Sequence, residues 1–134
     1  MGNTVVAWLL HSPLHGLLSG STNLVRYTGR RSGHEYITPT QYARSGDDVV
    51  ILVGNPDAKT WWRNFANEGD IDVMLQRRWV PMTARAVVGS EDPATIEPLL
   101  NVYLKQFPRA GRALGDGTLG SRARDAVMVW CRPR

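Results

Sequence analysis

Thr28-Gly29-Arg30-Arg31-Ser32-Gly33 places two guanidinium groups and a hydroxyl between two glycines. Glycine reaches positive φ without a Cβ penalty and can turn backbone N–H groups outward, so this segment has the makings of an anion cradle. Arginine suits that role because its planar fork matches phosphate and carboxylate. A solvated hairpin turn on a basic surface accounts for the same residues, and from residue types alone both readings stand. A second group is Lys59-Thr60-Trp61-Trp62-Arg63-Asn64-Phe65. Adjacent side chains on a helix lie about 100° apart, so one tryptophan can enter the core while the other borders a cleft. Two core anchors on an amphipathic helix is the plainer account. The polar neighbours Lys59, Arg63 and Asn64 favour a planar ligand carrying charged or carbonyl groups.

Other chemistry lacks its residues. His11, His15 and His34 have no cysteine or carboxylate at ligand spacing, so no metal site is expected. Gly115-Asp116-Gly117-Thr118 lacks the second carboxylate set of a calcium loop. No GxSxG, P-loop or GxGxxG segment occurs, which removes the common acyl-transfer and nucleotide templates. Cys131, the single cysteine, cannot form an intrachain disulfide, which favours a reducing, cytoplasmic setting. A chain that performs chemistry without a nucleophile or metal of its own must borrow a cofactor.

The elements that would hold these residues fit one domain spanning 1–134. Hydrophobic residues make up 43% and charged residues 21%, the ordinary globular mix. Sixteen Lys+Arg against twelve Asp+Glu give +4, and Lys59 and Lys105 are the only lysines. The arginines are dispersed and no RNP-like Lys/Arg-Gly-Phe motif occurs, so no nucleic-acid partner is expected. The run Val5 to Leu10 has no basic region before it and is cut by His11, Pro13 and His15, which fits neither a signal peptide nor a membrane span. Residues 1 to 20 read as two short amphipathic helical pieces.

Strands are predicted at Leu24 to Thr28, Glu35 to Arg44, Val49 to Val53, Ile71 to Gln76, Val80 to Val88 and Ala126 to Cys131. Tyr36, Thr38, Thr40 and Tyr42 alternate onto one side, and Pro39 requires an edge or a bulge. The continuous apolar run from Val49 to Val53 predicts a strand covered on both faces. Helices are predicted over Ala58 to Glu68 and from Pro93 through the stripe Ile96, Leu99, Leu100, Tyr103, Leu104 and Phe107. Residues 109 to 124, with four glycines among arginines, read as a flexible loop. Hairpin-length connections in place of regular βαβ alternation predict a mainly β (α+β) fold, a six-stranded antiparallel barrel with peripheral helices.

The order Leu-Val-Arg-Tyr-Thr-Gly-Arg-Arg-Ser-Gly (24 to 33), Thr38-Pro39, Gly46-Asp47-Asp48 before Val-Val-Ile-Leu-Val, and Lys59 to Phe65 resembles the deazaflavin-dependent nitroreductase family. The likeness covers about Leu24 to Val88, and Ser12-Pro13-Leu14-His15 fits as well. That family has the FMN-binding-like split β-barrel fold of the flavin/deazaflavin oxidoreductases of actinobacteria. The resemblance implies that Gly29, Arg30, Arg31, Ser32 and Gly33 bind the phosphate and acidic tail of coenzyme F420, an 8-hydroxy-5-deazaflavin. It implies further contacts from Tyr36, Ile37 and Thr38, from Val53, Gly54 and Asn55, and from Lys59, Thr60, Trp61, Trp62, Arg63 and Asn64. This chain departs from the family at Tyr36, where a third basic residue is common, and in the Gly/Arg segment that replaces a tyrosine-rich C-terminal region.

The expected activity is transfer of hydride from reduced F420 to a quinone, enone or nitro-type acceptor, with Tyr103 as a candidate proton source. One rival keeps the fold and binds FMN; another is a non-catalytic lipid or cofactor binder. A homodimer is expected. The N-terminal helical segment would serve as a lid over the acceptor, as subunit packing, or as a peripheral contact with the inner face of the cell membrane.

Overall fold

The computed structural model describes residues 22–114 and 117–134. The expected N-terminal helical lid, residues 1 to 20, lies outside them, and so does any lipid contact it would make. Among the described residues no helix is long and apolar enough to cross a membrane.

Six strands form a closed antiparallel barrel: β1 (Thr22–Thr28), β2 (Glu35–Ser45), β3 (Asp48–Leu52), β4 (Gly69–Leu75), β5 (Arg78–Val88) and β6 (Val127–Pro133), in the order β1-β2-β3-β6-β5-β4. Register follows from side-chain alternation. Tyr27 faces Tyr36, Val25 faces Thr38 and Asn23 faces Thr40, so these residues share the inner side of the sheet. On the same side Ile51, Val129, Val73, Met82 and Ala84 fill the barrel, and Phe65 joins them from outside the strands. The outward-facing Val50 and Met128 lie under a helical layer, so β3 is covered on both faces as its apolar run predicts. Pro39 falls where β2 is paired with β1 alone, since β2 meets β3 only from Tyr42 to Ser45.

The layer outside the barrel is helix α1 (Pro93–Gln106), capped by the Asp92 carboxylate accepting from the Thr95 amide, and the short helix α2 (Leu119–Asp125). Ile96, Leu100 and Tyr103 of α1 pack with Ala43, Val50, Val87 and Met128 of the strands. Two expectations are corrected here. The segment from Ala58 to Glu68 is not an α-helix; only Trp61–Phe65 is helical, as one 3₁₀ piece. Its bonds run from Arg63 N–H to the Thr60 carbonyl and from Ala66 N–H to the Arg63 carbonyl, and the Asn64 carboxamide occupies the Trp61 carbonyl. Asparagine side chains that bond nearby backbone in this way are unfavourable in helix interiors, which is consistent with so short a piece.

The segment from 109 to 124 is likewise not a featureless loop: Pro108–Leu114 is a 3₁₀ piece and Thr118 caps α2 by accepting from the Ser121 amide. Two of its glycines sit where a neighbouring side chain lies close. A Cβ on Gly111 would stand 2.7 Å from Arg122 Nη1, and one on Gly117 would stand 2.7 Å from Ser121 Oγ.

Gly89, between β5 and α1, shows the tightest such junction. A Cβ there would lie 1.6 Å from the Ala123 carbonyl oxygen and 2.9 Å from that of Ala126. Both obstacles are backbone, so neither can swing aside. Gly89→Ala should therefore lose at least the upper end of the ~1–3 kcal/mol usual for overpacking. The urea midpoint measures it, and an unchanged midpoint would refute the tight junction.

Candidate functional site

At one end of the barrel the turn between β1 and β2 faces the 3₁₀ piece across an open cavity of about 470 Å³, lined by Tyr27, Gly29, Arg30, Arg31, Ser32, Tyr36, Thr60, Trp61, Arg63 and Asn64. The turn closes on itself. Gly29 N–H donates to the His34 carbonyl and Gly33 N–H to the Gly29 carbonyl, at 2.8 and 2.9 Å. His34 N–H donates to Ser32 Oγ, and Arg30 N–H to Asn64 Oδ1. The amides that remain without a partner among the described residues are those of Arg31 and Ser32.

The sequence expectation that both glycines supply positive φ and open amides needs amendment. Gly33 has φ of 72°, but Gly29 does not reach the left-handed region, and both of their amides are spent inside the turn. Gly29 is glycine for a different reason. A Cβ there would stand 2.7 Å from the Tyr36 ring and 2.9 Å from Ser32 Oγ. That close approach lets Tyr36 fold over the turn, where its hydroxyl shares a hydrogen bond with Ser32 Oγ at 3.1 Å.

The wall of the cavity is aromatic. Tyr27 stacks on Tyr36 with centroids 5.8 Å apart, and meets Trp61 at 6.2 Å and Phe65 at 5.6 Å. Its hydroxyl shares a 3.4 Å hydrogen bond with Thr38. Burial raises the Tyr27 phenol above its ordinary pKa, with the bond to Thr38 opposing and neighbouring Tyr36 adding to the rise. Sequence reasoning passed over Tyr27. Its signal was position: the residue is in phase with Val25 and stands two places before the glycine of the turn.

Arg30 and Arg31 are exposed, and neither has a carboxylate within ion-pair distance among the described residues. Arg63 rests over the Trp62 ring at 5.2 Å. Among the described residues, two guanidinium groups without a carboxylate partner, two open amides and a hydroxyl pair are thus gathered in a form that suits an anion, and the aromatic wall beside them suits a flat ring.

The other expected site residues sit elsewhere. Gly33 is exposed outside the cavity, Ile37 packs against the buried Leu24 and Met74 on the outer side of the sheet, and Thr38 touches the wall through Tyr27. Val53 is inside the barrel, while Gly54, Asn55 and Lys59 are exposed on the turn that precedes the 3₁₀ piece. Trp61 lines the cavity, while Trp62 donates Nε1–H to the Pro56 carbonyl at 3.0 Å; both are half-buried against the barrel core, so neither is the core anchor that helical spacing predicts. Tyr103, the candidate proton source, is corrected: it is buried between α1 and the barrel beside Phe107, on the inner stripe of the helix, and does not line the cavity. Among the described residues no cluster of His, Cys, Asp and Glu could hold a metal.

A family model for F420H(2)-dependent quinone reductases matches residues 12–107. The chain belongs to this family. As a member of the quinone reductase family it is an oxidoreductase, with F420 as its cofactor. The match reaches beyond the residues that carried the resemblance and takes in α1.

Solved structures show the same fold. One, described as a domain-swapped dimer, has a TM-score of 0.65 at 17% identity over 97% of this chain and 95% of its own. Another, described as an F420-H2-dependent reductase, has a TM-score of 0.62 at 18% identity over 84% and 96%. A protein of unknown function from Agrobacterium tumefaciens has a TM-score of 0.55 at 17% identity over 92% and 56%. No curated protein matches the sequence at a significant level.

Two predictions follow from these placements. Trp61→Ala removes part of the cavity wall and should weaken F420 binding by about tenfold, the order of one aromatic contact. Trp62→Ala should instead cost about 2–3 kcal/mol of stability, below the value for a fully buried aromatic. Fluorescence titration and urea unfolding separate the two; matching losses in both assays would reject the division.

Burial pushes the Tyr103 phenol up from 10.0 to about 12. The native state therefore keeps a proton that the unfolded chain gives up, and stability is full below pH 10 and falls from there towards pH 12. Unfolding midpoints at pH 9 and pH 11 should differ less in Tyr103→Phe than in the wild type. A residual slope is expected from the Cys131 thiol, which burial also lifts to about 12.

Proposed function

We propose that this reductase binds F420 with the anionic part of the cofactor in the cradle from Gly29 to Ser32 and reduces a small electrophilic acceptor of the quinone, enone or nitro type. The observation that carries the placement is the turn itself: among the described residues Arg30 and Arg31 have no carboxylate partner and the Arg31 and Ser32 amides are open, beside the wall of Tyr27, Tyr36 and Trp61. These groups fit a cofactor that joins a flat ring to an anion. When bound, the reduced deazaflavin supplies hydride to the acceptor, and the reducing chemistry is the cofactor's own.

The chain's residues bind and orient. Arg30 and Arg31 hold the anion by charge, while the two amides and the free O–H of the Ser32–Tyr36 pair direct it. One of the two hydroxyl hydrogens in that pair is used between them, so the other is available to a ligand whichever oxygen donates. Trp61 and the stacked tyrosines exclude water from one side of the ring. The third guanidinium, Arg63, is steadied by the Trp62 face and adds positive potential to the mouth of the cavity.

We also read the chain as a homodimer, a reading supported by its likeness across nearly its whole length to the structure described as a domain-swapped dimer. Light scattering at two concentrations tests that state directly.

Titration with oxidised F420 and with FMN, followed by fluorescence, tests the placement. F420 should bind more tightly, since FMN presents fewer anionic groups to the cradle. Replacing Arg30 and Arg31 together with Ala removes two charge-assisted contacts of about 1.5–3 kcal/mol each, so F420 affinity should drop at least about a hundredfold. An unchanged dissociation constant would remove the cofactor from this turn.

A further inference from the structure

We propose that Asn64 is a positioning residue that sets both the polarity of the anion cradle and its distance from the aromatic wall. The inference rests on the reading that the cradle takes the anionic part of F420. Asn64 reaches across 34 residues of sequence to accept from the Arg30 amide at 2.9 Å, and its own Nδ2 donates to the Trp61 carbonyl at 2.8 Å. A single carboxamide thus ties the turn that carries the guanidinium groups to the residue that forms the wall.

The two bonds have opposite senses, and this fixes the side chain. Rotating the amide by half a turn would set NH₂ against the Arg30 N–H and oxygen against the Trp61 carbonyl, so one orientation satisfies both ends. The first bond takes the Arg30 amide out of use. Gly29, Gly33 and His34 spend theirs inside the turn, which leaves the adjacent Arg31 and Ser32 amides as the pair available to an anion. The second bond ties the same side chain to the backbone of Trp61, a residue that lines the cavity.

Few side chains serve in both directions at this length. Leucine keeps the shape and makes neither bond. Aspartate keeps the bond to Arg30, but its second oxygen would face the Trp61 carbonyl, and its charge would sit beside the position meant for an anion. The expected result is a selective loss: recognition of the phosphate-bearing cofactor suffers, whereas stacking of the ring alone does not.

The test compares two ligands on the purified full chain, F420 and the same deazaflavin chromophore without phosphate or tail, by fluorescence titration. Asn64→Leu should lose about tenfold or more in affinity for F420, the order of losing an ordered hydrogen-bonded contact to a charged group, and less than about twofold for the phosphate-free chromophore. Asn64→Asp should lose more for F420, with part of that loss relieved at high salt as the added charge is screened. Amide hydrogen exchange supplies a reading without ligand, in which Arg30 N–H exchanges faster in Asn64→Leu and stays protected in Asn64→Asp.

If Asn64→Leu does not fold, the isosteric Asn64→Asp decides by the same ligand comparison. Equal losses for both ligands, or unchanged F420 affinity in both variants, would overturn the inference while the functional reading stands. Wild-type protein that bound neither ligand would overturn that reading and the inference with it.

Discussion

Everything at the site depends on closing the barrel between β1 and β4, and the seam is narrow. Only Val25 with Val73 and Arg26 with Asp72 are paired there. Arg26 makes up for the short ladder by placing Nε and Nη2 on one Asp72 oxygen at 3.1 and 2.9 Å, with its guanidinium over the Trp79 ring. Arg134 takes the other Asp72 oxygen and also donates to the carbonyls of Ile71 and Met82. Ion pairs at a surface contribute little when isolated. This one is about one-quarter exposed, shares its carboxylate between two arginines, and lies over a seam whose inner side is the buried pair Val25 and Val73. Burial supplies most of the stabilisation, and the charges fix the register at which β1 delivers its end to the turn.

That delivery explains why a site with so open a mouth can have a well-defined wall. Tyr27 is at once a barrel residue, packed with Phe65, and the floor against which Tyr36 and Trp61 rest. The wall is therefore an extension of the core. The cradle beyond it is held by hydrogen bonds and by the absence of a Cβ at Gly29. The division matches what each part must do. A ring is recognised by shape and contact area, which the core provides, whereas an anion is recognised by directed N–H groups and charge, which an exposed turn can provide without burying unpaired cations.

The parts of this arrangement that are local in sequence could be read from it. Period-two alternation from Tyr36 to Tyr42 and the apolar run from Val49 to Val53 gave the strands because each side chain's face is set by its immediate neighbours. The clustering of Arg30, Arg31 and Ser32 pointed to the turn. What escaped depends on particular side-chain contacts, some local and some across the chain. Asn64 bonds both the Arg30 amide and the Trp61 carbonyl, and neither contact leaves a periodic trace. The glycines at 111 and 117 look like sources of flexibility, yet they are places where a neighbouring side chain comes too close for a Cβ. Tyr103 drew attention as an aromatic near the Gly/Arg segment, although its place on the stripe with Ile96 and Leu100 already assigned it to packing.

The placement of β6 between β3 and β5 has a consequence for how the protein comes into being. Strands β1 to β5 and helices α1 and α2 leave the ribosome before the strand that joins β3 to β5. Until then the nascent sheet has two open edges, one carrying Val49 to Leu52 and the other Met82 to Val88, both rich in β-branched or apolar residues. Such edges pair readily with those of other chains. The contacts that remove the hazard are non-local, and pairings of that kind are slow to form because a long loop must close first. A newly made chain is therefore most exposed to aggregation between the emergence of β5 and the arrival of β6.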